Sequence, residues 1–216
     1  MKLLKILLEQ EKILVPRRIE GRPEKHIRAT QQKIQQYIKD GSKGNLDLQG
    51  TSIKSLPDNL KSVGGNLSLK GTPITSLPDN LKSVGGYLDL QGTPIKSLNN
   101  LKYIKGHLFI SASEITSLPN NLRVGGSISF KETPIRSLPD NLEIGGNLSL
   151  TNTPIKSLPD NLEVIGSLSV ASTPITSLPD NLKVGGDLYV HKSPLAEKYT
   201  DEEIRNLADI GGKIVR

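Results

Sequence analysis

Three histidines, His26, His107 and His191, and 22 Asp and Glu residues are the first candidates for proton transfer or metal ligation in this 216-residue chain, which has no cysteine. The lack of thiols removes disulfides and thiolate metal sites, and it fits a reducing compartment. Whether the remaining groups can meet is decided by a repeat. A glycine returns at Gly44, Gly65, Gly86, Gly106, Gly126, Gly146, Gly166 and Gly186, a period of 21 residues twice and 20 thereafter. A fixed period in this range marks a solenoid, in which each unit buries its apolar face against its neighbours. With one strand per unit, His107 and His191 stand four strands apart, roughly 19 Å, too far to share a metal or a proton. His26 precedes the repeats altogether. Asp47 and Asp89 stand two strands apart at roughly 10 Å, slightly beyond the spacing of an inverting carboxylate pair. No acid, base and nucleophile converge, and a thin solenoid offers no deep pocket. The expectation is a protein without catalysis, cofactor or metal.

What remains is the chemistry of recognition. Strand positions that face away from the core are where repeats can differ without penalty, so differences there carry the functional signal. Before the first Leu of each unit the residues are Asn45, Asn66, Tyr87, His107, Ser127, Asn147, Ser167 and Asp187. Between the Leu pair they are Asp47, Ser68, Asp89, Phe109, Ser129, Ser149, Ser169 and Tyr189. Tyr87, Asp89, His107 and Phe109 therefore fall side by side on adjacent strands about 4.8 Å apart. Aromatics exposed on a rigid face are suited to anchoring a partner. The same residues would also serve as ordinary cross-strand pairs. Tyr189 and His191 form a second, weaker pair near the C-terminal end.

The elements that must position these residues follow from the unit G-x-L-x-L-x-x-T-P-I-x-S-L-P-D-N-L-x-V-G. In the copy opening at Gly146, Leu148 and Leu150 alternate with polar residues, the period of a half-buried strand. Ile155, Leu158, Leu162 and Val164 follow neither helical nor strand spacing, because Pro154 and Pro159 punctuate them. Each unit thus reads as one short strand and a proline-stiffened return, and stacked strands run parallel in one sheet. The glycine column has no exception, so it needs either positive φ or close contact with backbone. The column before it admits Lys43, Lys105 and Ile165. No helix opens after these glycines, so they do not read as a phosphate cradle. Thr51, Thr72, Thr93, Ser113, Thr133, Thr153, Thr173 and Ser193 form a hydroxyl column where strand becomes return, expected to bond its own turn and the adjacent unit as a ladder. Pro-Asp-Asn is turn chemistry.

With the pattern L-x-L-x-x-T-x-I-x-x-L-P in hand, residues 44 to about 195 resemble leucine-rich-repeat proteins, whose pattern is L-x-L-x-x-N-x-L-x-x-L-P. The resemblance is to the short bacterial type, found in secreted effectors and in repeat proteins carried by bacteriophages. It implies a right-handed curved solenoid, an α/β repeat fold with its parallel sheet on the concave face and helical caps at both ends, and a binding role for that face. Two departures stand out. Thr or Ser replaces the ladder Asn, and Gly-Gly replaces part of the leucine spacing, which would flatten the curvature. Some effectors of this kind carry a cysteine-dependent ubiquitin ligase domain; without Cys, that activity is not carried over.

Three regions are expected. Residues 1–43 form a basic helical N-terminal cap, 44–195 the eight repeats, and 196–216 a C-terminal capping helix and final strand. The net charge of +6 is concentrated in the first: residues 1–43 hold 11 Lys and Arg against 5 Asp and Glu, and the other 173 hold 17 of each. Leu3, Leu4, Leu7 and Leu8 share a face of a helix over about residues 2–12, and Ile13 to Val15 read as extended before Pro16. Ile27, Ile34, Tyr37 and Ile38 share a face of a second helix that ends at Gly41 and covers the first repeat. Arg17, Arg18, Arg22, Lys25, Arg28 and Lys33 make a basic segment able to contact nucleic-acid phosphates or an acidic protein surface, though no aromatic or reading motif accompanies it. It also fits a solvated face of the cap. Thr200 to Glu203 is a capping box, and Ile210 to Ile214 restates the repeat as a ninth strand. Lys5, Glu9, Glu11 and Lys12 interrupt the apolar N-terminus, no cleavage site follows, and no run approaches the roughly 20 residues of a membrane span. A cytoplasmic location is the expectation, in the host if the chain is phage-encoded. Three functions are open: a protein-binding module, including an inhibitor of a host factor, a nucleic-acid-associated protein using the basic segment, and a structural or virion component assembling through its ends.

Overall fold

The computed structural model describes residues 23–216. The expected helix over residues 2–12, the extended piece before Pro16, and Arg17, Arg18 and Arg22 lie outside them. Helix α1 (Pro23–Lys39) precedes seventeen two-residue strands, β1 (Leu46–Asp47) through β17 (Ile214–Val215), with α2 (Pro194–Lys198) and α3 (Asp201–Leu207) inserted between β15 (Leu188–Tyr189) and β16 (Asp209–Ile210). The chain is a parallel-strand solenoid with a helical element at each end.

The leucine-bearing strands alternate with a second set, and each set makes its own sheet. β1, β3, β5, β7, β9, β11, β13, β15 and β17 form a nine-stranded parallel sheet, each paired with the equivalent strand of the next coil. The residues just before each Gly-Gly form the eight-stranded sheet from β2 (Ser62–Val63) to β16. This corrects the expectation of a single sheet. The segment Arg123–Val124 of one coil pairs in parallel with Glu143–Ile144 of the next, the Val or Ile facing inward and the charged residue outward. Every coil is therefore two strands joined by a glycine corner, then a proline-rich return.

The core is a single column of Leu, Ile and Val stacked through the coils. Leu148, Leu150, Ile155, Leu158, Leu162 and Val164 of one unit are all buried. No buried side-chain polar atom among the described residues lacks a hydrogen-bond partner. The glycines at the corner answer a packing demand. At Gly86 a Cβ would lie 2.0 Å from Asn66 Oδ1 and 2.9 Å from the Asn66 nitrogen, and at Gly126 it would lie 2.9 Å from backbone of Gly106. Of the corner column only Gly44, in the first coil, has positive φ; along the later coils positive φ falls instead to Gly50, Gly71 and Gly92 at the end of the first leucine strands, and then to Ala112, Glu132, Asn152, Ser172 and Lys192 at the same place.

The ends are covered by matched polar contacts. On α1, Ile34 is buried, and Tyr37 donates its hydroxyl proton toward the carbonyls of Ser42 (2.7 Å) and Gly44 (3.0 Å) while accepting from the Gly64 N–H. Lys33 donates to the Asp47 carbonyl at 2.6 Å, occupying the edge of β1. Edge strands present unpaired backbone groups, and these contacts close part of that edge. At the other end Thr200 and Glu203 form a reciprocal capping box at the start of α3, and Ile204 is buried. Helices α2 and α3 replace the last return, and β17 completes the nine-stranded sheet. Among the described residues no helix is long and apolar enough to cross a membrane.

Candidate functional site

The aromatic residues meet as expected from their spacing. In β5 (Leu88–Asp89) and β7 (Leu108–Phe109), Asp89 lies in register with Phe109. The rings of Tyr87 and Phe109 pack edge to face, centroids 6.0 Å apart at 63°, and His107 lies 5.6 Å from Phe109 at 32°. Such ring pairs contribute about 0.5–1.5 kcal/mol beyond the area they bury. Phe109 and Tyr87 are half-buried and His107 is exposed, so one side of the cluster faces solvent. Asp89 accepts from the Gln91 N–H at 3.0 Å, a local turn that Asp47 repeats with Gln49. Tyr189 and His191 stand four coils away; the Tyr189 hydroxyl reaches Asp187 Oδ2 at 3.4 Å, and neither ring joins the first cluster.

One column has a role that sequence reasoning missed. The residues after the corner glycines, treated above as free to vary, form a side-chain ladder between coils. Asn45 Oδ1 accepts from the Asn66 N–H, and Asn66 Oδ1 from the Tyr87 N–H, at 2.8 and 2.9 Å. His107 Nδ1, Ser127 Oγ, Asn147 Oδ1, Ser167 Oγ and Asp187 Oδ1 accept in turn from Ser127, Asn147, Ser167, Asp187 and Lys213. Tyr87 is the gap. Its ring offers no acceptor at that distance, and among the described residues the His107 N–H has no partner. The signal was present in the sequence: every member but Tyr87 carries an acceptor one or two bonds from Cβ. His107 is thus held in place by structure, its Nδ1 taking the N–H of the neighbouring coil.

The Thr and Ser column does something different from the expected ladder. Each hydroxyl donates within its own coil to the carbonyl three residues back, as in Thr72 to Leu69, Thr133 to Phe130 and Thr153 to Leu150, at 2.6–2.7 Å. It ties off the end of the strand, while the bonds between coils run through the neighbouring column. The irregular third repeat is likewise structural. Asn99, at φ 50°, donates to the Leu77 carbonyl and to Asp79 and accepts from Ser97, closing the turn where Pro-Asp is missing.

Of the basic segment, Lys25 falls in the first turn of α1, Arg28 and Lys33 are exposed, and Lys33 is engaged with Asp47. Among the described residues no three His, Cys, Asp or Glu gather to hold a metal.

No family model matches the sequence, and no curated protein does. Among solved structures the chain is similar to a leucine-rich-repeat protein of Leptospira interrogans, at 24% identity and a TM-score of 0.41, over 76% of this chain and 52% of that one. The chain spans about half the length of that protein.

Proposed function

We propose that the chain is a non-enzymatic protein-binding module whose partner docks on the nine-stranded sheet around Tyr87, Asp89, His107 and Phe109, with Tyr189 and His191 as a second contact. One observation carries the reading. Two rings, Tyr87 and His107, pack on a third, Phe109, on a sheet face whose equivalent positions are otherwise mostly Ser, Asn and Asp, and Tyr87 interrupts a backbone-satisfying ladder to be there. A residue that breaks a local rule, with ring packing as its one local return, is a candidate for a role beyond the fold. Phe109 and Tyr189 stand four strands apart, roughly 19 Å, a span suited to a partner surface and too wide for a small ligand. A rigid sheet presents these groups already ordered, which reduces the entropy lost on association. Occlusion of a partner's working surface, as by a bacterial or phage-encoded inhibitor acting in a cytoplasm, is the form such a module would take.

The test is capture of partners on immobilised full-length chain after nuclease treatment, with Phe109→Ser as the variant. Ser fills that position in four other coils, so the fold is kept. A discrete protein held by the native chain and lost from Phe109→Ser is expected. Retention by that variant, or loss on nuclease treatment alone, overturns the reading and favours the basic segment.

A further inference from the structure

The second sheet carries an irregularity of its own, across the glycine corner from the aromatic cluster. Its outward column runs Ser62, Ser83, Tyr103, Arg123, Glu143, Glu163, Lys183 and Asp209. Arg123 and Glu143 are paired at 2.9 Å. The next step sets Glu143 beside Glu163, like charges that destabilise adjacent strands. Only Ile144 and Val164 remain in register there, whereas most neighbouring strand pairs keep both residues. Glu163 has no ion pair within 4 Å among the described residues, although Lys183 follows it in register.

The corner fails at the same coil. Ile165 stands where other coils have Gly64, Gly85, Gly125, Gly145, Gly185 and Gly211, and it is 59% exposed. At Gly145 and Gly185 the N–H bonds the preceding coil, to Val124 and Val164; Lys105 keeps the same bond to Val84, and among the described residues the Ile165 N–H makes none. An exposed Ile that forfeits a backbone bond and a like-charge step in which Glu163 has no ion pair are separate costs at one place.

Between Tyr103 and Ile165 lies a groove of about 680 Å³. Gly125 and Gly145 give it a bare backbone floor, Asp140, Glu143 and Glu163 line it with carboxylates against the single cation Arg123, and its two ends are apolar. Tyr103 is 43% exposed. Three strand steps separate the ends, roughly 14 Å, the length of about four extended residues. We propose that this groove binds an extended peptide segment of a protein partner, with a Lys or Arg set between Glu143 and Glu163 and an apolar side chain against Ile165. The charge complementarity selects that occupant: three carboxylates against one guanidinium make an acidic trough with apolar ends, which disfavours phosphates and acidic peptides alike.

Amide chemical shifts of the full-length chain, followed while adding acetyl-Leu-Lys-Leu-Lys-amide or acetyl-Leu-Glu-Leu-Glu-amide, test it. The Lys peptide is expected to move the resonances of residues 103, 123, 143, 163 and 165 with a dissociation constant on the order of 1 mM, as suits so small a ligand, and the Glu peptide to leave them unmoved. Glu163→Gln weakens the Lys peptide about three- to fivefold, the worth of an exposed ion pair. Ile165→Gly, which restores the residue common at that corner, weakens it about tenfold through lost apolar contact. Equal shifts from both peptides, shifts centred on Tyr87 and Phe109, or unchanged affinity in Ile165→Gly would each overturn the proposal. So would groove resonances that move with protein concentration alone, which would assign the groove to a second copy.

Discussion

At the scale of single residues, the ladder after the corner glycines separates residues held for the fold from those held for something else. His107 and Tyr87 look alike in the sequence, as large rings among Asn and Ser, but only the imidazole carries an acceptor two bonds from Cβ. His107 places an acceptor where the Ser127 N–H needs it; Tyr87 does not do so for His107. Substituting Tyr87→Asn should therefore complete the ladder. The expected gain is about 1 kcal/mol, a net hydrogen bond, seen as a rise in Tm of roughly 2–4 °C, together with loss of partner capture. His107→Asn should be near neutral for stability, whereas His107→Leu should cost about 1–2 kcal/mol by orphaning an amide. Denaturant midpoints for these three variants decide the matter, and a destabilised Tyr87→Asn would mean that its ring packing outweighs the missing bond. Gly126 belongs to the first class without ambiguity. A Cβ there would meet His107 Nδ1 at 2.7 Å and Gly106 backbone at 2.9 Å, so Gly126→Ala should cost about 1–3 kcal/mol of overpacking, read as a lower denaturant midpoint, although Ala is the smallest side chain available.

At the scale of elements, the leucine strands, the return loops and helices α1 and α3 were legible because each carries a signal as long as itself, whereas the five-residue α2 carries none. Alternation at Leu148 and Leu150, proline at the turns, and Thr200 to Glu203 all spell out local structure. The second sheet was not legible. Its strands are two residues long, such as Glu143–Ile144, with one residue in and one out, so no period can be read from them; their pairing exists only because the coil repeats. The site was half legible for a related reason. Lateral juxtaposition of Tyr87, His107 and Phe109 follows from the period alone, but which of them also serves the backbone depends on how the corner turns. The C-terminal cap offers a prediction with a sign. Hydrogen bonds from the Thr200 N–H and hydroxyl hold the Glu203 carboxyl below its ordinary value. A depressed carboxylate contributes its stability above the unfolded-state value of about 4.3 and loses it as pH falls through the lower folded value. Helix α3 should therefore fray below about pH 4 ahead of the coils. Protection factors at Ile204 and Ala208, with the intrinsic pH dependence of amide exchange divided out, measure this between pH 3 and pH 6, and Glu203→Gln should remove the fall in protection near pH 4.

At the scale of the whole molecule, the coils are interchangeable to the extent that each contacts only its neighbours. Stability in such a stack is a sum of unit terms and interface terms, so a coil can be removed without a gap if the chain rejoins at equivalent points. Deleting residues 126–145 joins Gly125 to Gly146 and leaves a complete Gly-Gly corner. The nine-stranded sheet loses β9 (Ile128–Ser129), and Leu108 then meets Leu148 in place of Ile128. On the other sheet Glu143 disappears and Arg123 comes to stand beside Glu163, replacing a like-charge step with an attractive one. The shortened chain is expected to fold with an unchanged circular dichroism spectrum per residue and a Tm lower by a few degrees, since one interface of many is lost. The half-period deletion of residues 126–135 is the control. It sets Leu138 and Pro139 where Leu148 and Ser149 need strand partners and Asp140 in the place of the buried Phe130, so no register satisfies both core and backbone. Cooperative unfolding should survive the first deletion and vanish in the second. Equal damage from both would mean that the irregular coils around Asn99 and Ile165 lock the stack as a single unit, and that its parts cannot be exchanged one period at a time.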